Sequence, residues 1–168
     1  SGAKNNTIEL WLVPEQRRIS TFKGKCAAFS PNGQLLAIGG TYSKNVSGGT
    51  YYYDLIKLWS VPDWKEVAML DGGLPYKTEY GANDIGTSVM AITFSPDGQL
   101  LAFEDRNKIM LWSIAKWQAV ATLKPPYYLR QWEAAIAFSP DGQLMASANN
   151  NSAISLWKLQ GVKSYAGF

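Results

Sequence analysis

One nine-residue segment occurs three times in this chain of 168 residues, and it constrains the fold more than any other feature. The copies read FSPNGQLLA at 29–37, FSPDGQLLA at 94–102 and FSPDGQLMA at 138–146. Each copy is followed by a Leu-Trp pair, and one further Leu-Trp pair precedes the first copy. The four tryptophans of these pairs are separated by 48, 53 and 45 residues. A period of this length indicates an array of similar units that stack on one another.

Each unit predicts four antiparallel strands. The first strand is an apolar run that ends in Phe-Ser-Pro, which indicates a strand covered on both faces. The Ser-Pro-Asp-Gly or Ser-Pro-Asn-Gly sequence that follows predicts a type I turn and hence a hairpin. The third strand carries Ile-x-Leu-Trp, and a fourth strand follows at a fixed distance. The residues assigned to this repeated scaffold are Phe29, Pro31, Trp59, Phe94, Pro96, Trp112, Phe138, Pro140 and Trp157.

The composition argues against most kinds of chemistry. Histidine is absent and cysteine occurs once, so the commonest general base and the residues of a zinc site are lacking. We therefore expect no catalytic residue, no metal site, no cofactor and no enzymatic activity. The net charge of +3, without a run of Lys or Arg, does not favour nucleic acid as a partner. No apolar run approaches the roughly 20 residues of a membrane span, so we expect one soluble, cytoplasmic domain without membrane contact.

The segment FSPDGQLLA, followed by an Ile-x-Leu-Trp strand, resembles the repeats of the WD-repeat β-propellers, especially those of the bacterial kind. The resemblance extends over residues 7–168. It implies an all-β fold, a β-propeller of four-stranded antiparallel blades, of which this chain holds about 3.5. The expected boundaries are a half-blade at 7–22 and blades at about 24–70, 88–123 and 133–168.

The chain also departs from the family pattern. The aspartate that follows tryptophan in the family is replaced by Leu12, Ser60, Ser113 and Lys158, and the aspartate six residues before tryptophan is replaced by Asn5, Tyr53, Arg106 and Asn151. The resemblance implies that these family residues form a buried polar network within each blade. Because they are missing here, apolar packing is expected to be the main contact that stabilises the blades.

The half-blade leaves an unpaired strand edge, which invites pairing with another chain. Two copies could associate, since their 28 strands equal seven blades of four. A second polypeptide, or another part of a longer parent protein, could instead supply the missing strands. A third interpretation is that the chain is simply a fragment of a longer propeller.

Three insertions distinguish one unit from the next, at about 41–53, 71–88 and 124–132. In an up-and-down blade, loops at these positions emerge at the same end, so we expect one shared face. Tyrosine, tryptophan and arginine are typical of binding hot spots, and loops on a rigid scaffold commonly carry recognition. We therefore predict that this face binds a protein or peptide. The candidate partner-binding residues are Tyr42, Tyr51, Tyr76, Tyr80, Tyr127, Tyr128, Arg130 and Trp132.

Other interpretations of these residues stay open. The same aromatic rings could stack on a glycan, and the resemblance also allows a sensor module of a larger bacterial signalling protein. The tyrosine-rich loops could instead be buried in assembly. Tyr52 and Tyr53 could simply begin the third strand of a lengthened hairpin, with their rings packed on the neighbouring blade. Glu104 and Asp105 are expected to be a surface pair at a hairpin end, and Cys26 a small buried residue.

Overall fold

The computed structural model describes residues 2–3, 6–47, 49–71, 76–77, 89, 91–105, 108–124, 135–148 and 154–159. These residues form fifteen β-strands and no helix, so the all-β expectation is confirmed for them. It follows that no helix in these ranges could serve as a membrane span.

The strands form four antiparallel sheets, which we number in chain order. The first sheet contains β1 (Gly2–Ala3), β2 (Thr7–Leu12) and β3 (Arg17–Lys23). The second contains β4 (Cys26–Phe29), β5 (Leu35–Val46), β6 (Gly49–Ser60) and β7 (Glu66–Asp71), with β8 (Tyr76–Lys77) paired to β6. The third contains β9 (Ile92–Phe94), β10 (Leu100–Asp105), β11 (Lys108–Ser113) and β12 (Gln118–Leu123). The fourth contains β13 (Ile136–Phe138), β14 (Leu144–Ala148) and β15 (Ile154–Lys158).

These sheets are consistent with part of a β-propeller. In the second, third and fourth sheets, the tryptophan of the Leu-Trp pair lies opposite the same position of the preceding strand. The pairs are Leu36 with Trp59, Leu101 with Trp112 and Met145 with Trp157. The strand expected at 162–168 lies outside the described residues.

The Ser-Pro-Asp-Gly turns have the predicted geometry. In the third sheet the amide of Gly98 donates to the carbonyl of Ser95 at 2.8 Å, and Gly98 has a φ of +71°. Asp97 Oδ1 accepts from Ser95 Oγ at 2.5 Å and from the Gln99 amide at 3.0 Å, while Ser95 Oγ accepts from the Leu100 amide at 2.9 Å. The same bonds recur at 30–35 and 139–144. Polar bonds in the turns therefore add to the expected apolar packing.

A second turn type joins the third and fourth strands. Its signature is a register shift between the Leu and the Trp of the Leu-Trp pair, together with a left-handed residue five positions after that tryptophan. The left-handed residues are Gln16, Trp64 and Trp117, with φ of 49°, 52° and 52°. This combination is a β-bulge turn in which glycine would be the usual choice. Trp64 and Trp117 therefore occupy equivalent turn positions, as the repeat predicts.

The sheets stack in chain order through one repeated contact. Ile8 and Leu10 of the first sheet pack with Leu36, Ile38 and Trp59 of the second. The opposite side of the second sheet, with Ala37, Ile56 and Leu58, packs with Leu101, Phe103 and Trp112 of the third. Ala102, Ile109 and Leu111 of the third sheet pack with Met145 and Trp157 of the fourth. Each sheet has a tryptophan side, which carries the tryptophan of the Leu-Trp pair, and an opposite leucine side, which carries the leucine. The leucine side of each sheet packs on the tryptophan side of the next sheet.

Candidate functional site

The first insertion forms a long β-hairpin. Strands β5 and β6 pair over twelve residues each, from Leu35 opposite Ser60 to Val46 opposite Gly49. The equivalent hairpins of the third and fourth sheets have six and five pairs. We call the additional part, residues 41–46 and 49–54, the hairpin arm. At about 3.3 Å per residue, the arm extends roughly 20 Å beyond the length of the third-sheet hairpin.

The second insertion contributes a strand to the arm. In β8, Lys77 pairs with Tyr51 and Tyr76 pairs with Tyr52 on the outer edge of β6. Strand β7 pairs with the other half of the same edge, from Leu55 to Trp59. Strand β8 of the second insertion therefore lies beside the first insertion at the backbone level, and Tyr51 and Tyr76 belong to adjacent strands. Tyr52 and Tyr53 lie within β6, so their place in the third strand of a lengthened hairpin is confirmed.

Three tyrosines share one side of the arm. Tyr42 lies opposite Tyr53, and Tyr51 follows two residues away on the same side of β6. All three side chains are partly exposed. This side of the arm continues the side of the second sheet that packs on the first sheet. Ile38 and Trp59 belong to that packed side, and they are separated from Tyr42 and Tyr53 by an even number of residues along their strands, so all four side chains lie on the same side.

Tyr42 connects the arm to the first sheet. Its hydroxyl donates to the carbonyl of Lys23 at 2.9 Å. The Nζ atoms of Lys57 and Lys23 lie 5.3 Å and 5.8 Å from the ring centroid, within the range of cation–π attraction. Burial, assisted by the negative charge of Glu66, raises the pKa of Tyr42 to about 12, so the phenol is neutral at ordinary pH. Its contact with a partner stays a prediction.

The opposite side of the arm begins with a buried carboxylate. Asp54 is almost fully buried, and its Oδ1 accepts a hydrogen bond from Thr41 Oγ1 at 2.8 Å. Thr41 and Asp54 are direct cross-strand partners, so this bond closes the base of the arm. Sequence reasoning did not single out Asp54, because only the long pairing of β5 with β6 reveals that it lies inside a sheet.

The expectation of a surface carboxylate pair at Glu104 and Asp105 is wrong for Glu104. Only 7% of Glu104 is exposed, because it lies within β10 on the same side as Ala102, which packs against the fourth sheet. Its amide donates to the carbonyl of Ala91 at 3.0 Å. Among the described residues, no group of three or more His, Cys, Asp or Glu side chains could hold a metal ion.

Two glycines lie in close packing just before the arm begins. A Cβ atom at Gly40 would lie 3.0 Å from the Cα of Gly24, in the segment that connects the first and second sheets. A Cβ atom at Gly39 would lie 2.7 Å from Val89 Cγ1 and 2.8 Å from Cys26 Sγ. A side chain at either position would therefore force its neighbours to move. The pair of glycines is the sequence signal for this crossing, which the sequence analysis did not use.

Cys26 has no feature of a nucleophile. Its Sγ donates to the carbonyl of Val89 at 3.4 Å, and burial raises the pKa of the thiol to about 12. The thiol is therefore protonated at physiological pH, whereas nucleophilic cysteines are thiolates. Cys26 is half-buried, so the expectation of a small buried residue holds only in part.

Several candidate partner-binding residues cannot be placed in the structure. Only the backbone of Tyr76 is described. The remaining candidates outside the described residues are Tyr80, Tyr127, Tyr128, Arg130 and Trp132. Their partner-binding role stays a prediction.

A known family of repeats matches part of the fourth sheet. The family model described as WD domain, G-beta repeat matches residues 134–158, which include β13, β14 and β15 of the fourth sheet. The search of curated proteins found no match. WD repeats generally act as non-catalytic scaffolds that bind proteins or peptides. The matched repeat and the all-β sheets together support a WD-repeat family and a general role as a protein-interaction scaffold.

Proposed function

We propose that this chain is a non-enzymatic scaffold that binds a protein or peptide through a tyrosine-rich face at one end of its sheets. The observation that best supports this function is the hairpin arm, which carries Tyr51 and Tyr53 beyond the ordinary length of the sheet hairpins. The described parts of the third and fourth sheets pack on each other without such an extension. An elaborated hairpin on a repeated scaffold is the expected location of recognition.

The arm suits a peptide ligand for a physical reason. Tyr51 and Tyr53 are partly buried in a ladder that is paired on both sides, by β5 over its whole length and by β8 at Tyr51. Aromatic side chains held in this way lose little conformational freedom when a ligand arrives, so more of the contact energy contributes to affinity. Tyr42 is already bonded to the first sheet and helps to hold the arm in place.

The proposed face also includes the third insertion. Tyr127, Tyr128, Arg130 and Trp132 follow the rigid Pro125-Pro126 pair, and Tyr80 belongs to the second insertion. We assign these residues, which lie outside the described part of the chain, to the same binding face as the arm. The scaffold itself is completed by a second copy or by a complementing chain.

The test uses peptides selected from a random display library against the whole chain. Alanine at Tyr51 and alanine at Tyr127 are each expected to weaken binding of a selected peptide by about 30-fold or more, because removing an aromatic hot spot costs about 2 kcal/mol or more. Titration calorimetry measures the change. The matched control is Trp117→Asn, which removes an exposed aromatic ring at the opposite end and places in the left-handed turn a residue that tolerates it.

Two results would refute the proposal. Selected peptides could bind all variants with the wild-type affinity, which places their site elsewhere. Alternatively, peptide selection could fail while oligosaccharides bind and lose affinity when Tyr51 or Tyr127 is replaced. This result would identify the ligand as a glycan and not a peptide.

A further inference from the structure

The two ends of the sheet stack expose complementary surfaces. Inside the stack, the leucine side of each sheet is covered by the following sheet. Ile109 and Leu111 of the third sheet are 0% exposed, because the fourth sheet packs on them. Ile56 and Leu58 of the second sheet are likewise 0% exposed beneath the third sheet. We call this surface the leucine face of a sheet.

In the described part of the chain, the leucine face of the fourth sheet is largely exposed. Ile154 and Leu156 occupy the positions of Ile109 and Leu111 in the repeat, and they are 70% and 71% exposed. Leu144, which lies on the same side of β14, is 42% exposed. Adjacent exposed aliphatic side chains in a sheet are typical of an interaction surface.

The first sheet exposes the other half of the repeated contact. Trp11 occupies the position of Trp59, Trp112 and Trp157, and it is 46% exposed. Its Nε1 donates to Glu9 Oε2 at 3.1 Å, and Glu9 Oε1 accepts from Arg18 at 3.0 Å. The polar edge of the indole is therefore bonded within the chain, and its apolar surface is available for contact.

We propose that the leucine face of the fourth sheet of one copy packs on the Trp11 side of the first sheet of a second copy. The inference rests on the proposed completion of the scaffold by a second copy and does not involve the tyrosine-rich face. The chain already makes this contact three times internally, so the occupant of the fourth leucine face is a tryptophan side of the same kind. Two such contacts related by a two-fold axis close the assembly, because each copy carries one of each surface.

The proposed interface between two copies is expected to be smaller than the contacts between neighbouring sheets within one chain. In the second sheet, the covered tryptophan side includes Leu36 and Ile38 of β5 beside Trp59. The described part of the first sheet has only the two residues of β1 at the corresponding edge. We therefore expect a dissociation constant on the order of micromolar, as for a small interface.

Sedimentation velocity of the whole chain across a concentration series tests the inference. The wild-type chain is expected to shift from monomer to dimer, and Leu156→Lys and Trp11→Lys are each expected to raise the dissociation constant at least tenfold. The control is Val13→Lys, which places the same charge in an exposed turn outside both surfaces. Leu156 and Val13 are largely exposed and Trp11 is 46% exposed, so the variants should fold, and their thermal unfolding curves verify this.

An equimolar mixture of Leu156→Lys and Trp11→Lys provides the sharpest result. Each variant retains the surface that the other has lost, so the mixture is expected to form heterodimers through one intact interface. A wild-type chain that stays monomeric would overturn the inference. So would a dimer that Leu156→Lys disrupts and Trp11→Lys does not, since that dimer joins two leucine faces. Tyr51→Ala should leave the dimer intact, so loss of peptide binding and loss of assembly remain distinguishable.

Discussion

Three equivalent leucines should respond very differently to truncation. Leu58 and Leu111 are 0% exposed beneath the next sheet, whereas Leu156 at the same repeat position is 71% exposed. Replacing a fully buried leucine by alanine removes its transfer free energy and leaves a cavity, which together destabilise a protein by about 3 to 5 kcal/mol. Less than a third of Leu156 is buried in the monomer. Since full burial of a leucine contributes about 1.5 to 3 kcal/mol, Leu156→Ala should destabilise the monomer by roughly 1 kcal/mol or less.

Urea unfolding, followed by tryptophan fluorescence, measures these differences in the free energy of unfolding. The experiment is done at a protein concentration well below the expected dimer dissociation constant, because self-association would add stability that depends on concentration. Leu58→Ala and Leu111→Ala should lower the unfolding midpoint strongly, and Leu156→Ala only slightly. Equal destabilisation by all three variants in the monomer would refute the repeated stacking contact, because the three positions would then be equally buried.

Three smaller perturbations test individual contacts. Gly40→Ala would place a Cβ 3.0 Å from the Cα of Gly24. This overpacking should lower the free energy of unfolding by about 1 to 3 kcal/mol in urea titrations. Unchanged stability would contradict the close approach of Gly40 to Gly24. Ser147→Ala removes the acceptor of the 2.9 Å bond from Trp157 Nε1, and the indole N–H left unpaired should destabilise the chain by about 1 to 3 kcal/mol; a neutral result would show that water replaces the bond. The pKa of Tyr42, raised to about 12, means that the folded state holds its proton more tightly than the unfolded state, so stability should fall between about pH 10 and pH 12; Tyr42→Phe should flatten this decline, and an unchanged slope in alkaline unfolding curves would contradict the burial of the phenol.

Local features of this fold could be predicted from the sequence. The Ser-Pro-Asp-Gly turns depend on residues within six positions of one another, so Pro96, Asp97 and Gly98 suffice to indicate their geometry. The Leu-Trp strands are equally evident from their repetition. The backbone conformation of the turns that follow these strands could not be predicted. Gln16 and Trp117 adopt left-handed conformations there, and their residue types give no signal for them.

Features that depend on distant strands could not be predicted. Glu104 was expected at the surface because carboxylates usually are, yet its burial results from the packing of the third sheet against the fourth. The pairing of β8 with β6 joins residues about 25 positions apart across an insertion without a periodic pattern. The buried bond between Thr41 and Asp54 likewise follows only from the register of the long hairpin.

The most direct test of the proposed function removes the hairpin arm. Asp105 and Lys108 pair in the third sheet at the positions of Gly40 and Leu55, so residues 41–54 can be replaced by Arg-Asn, the two residues that join that shorter hairpin. A cooperative urea transition would show that the shortened chain still folds. We expect such a chain to lose measurable affinity for a peptide selected against the wild type, while Trp117→Asn retains it. A folded, armless chain that binds the peptide as tightly as the wild type would contradict the account.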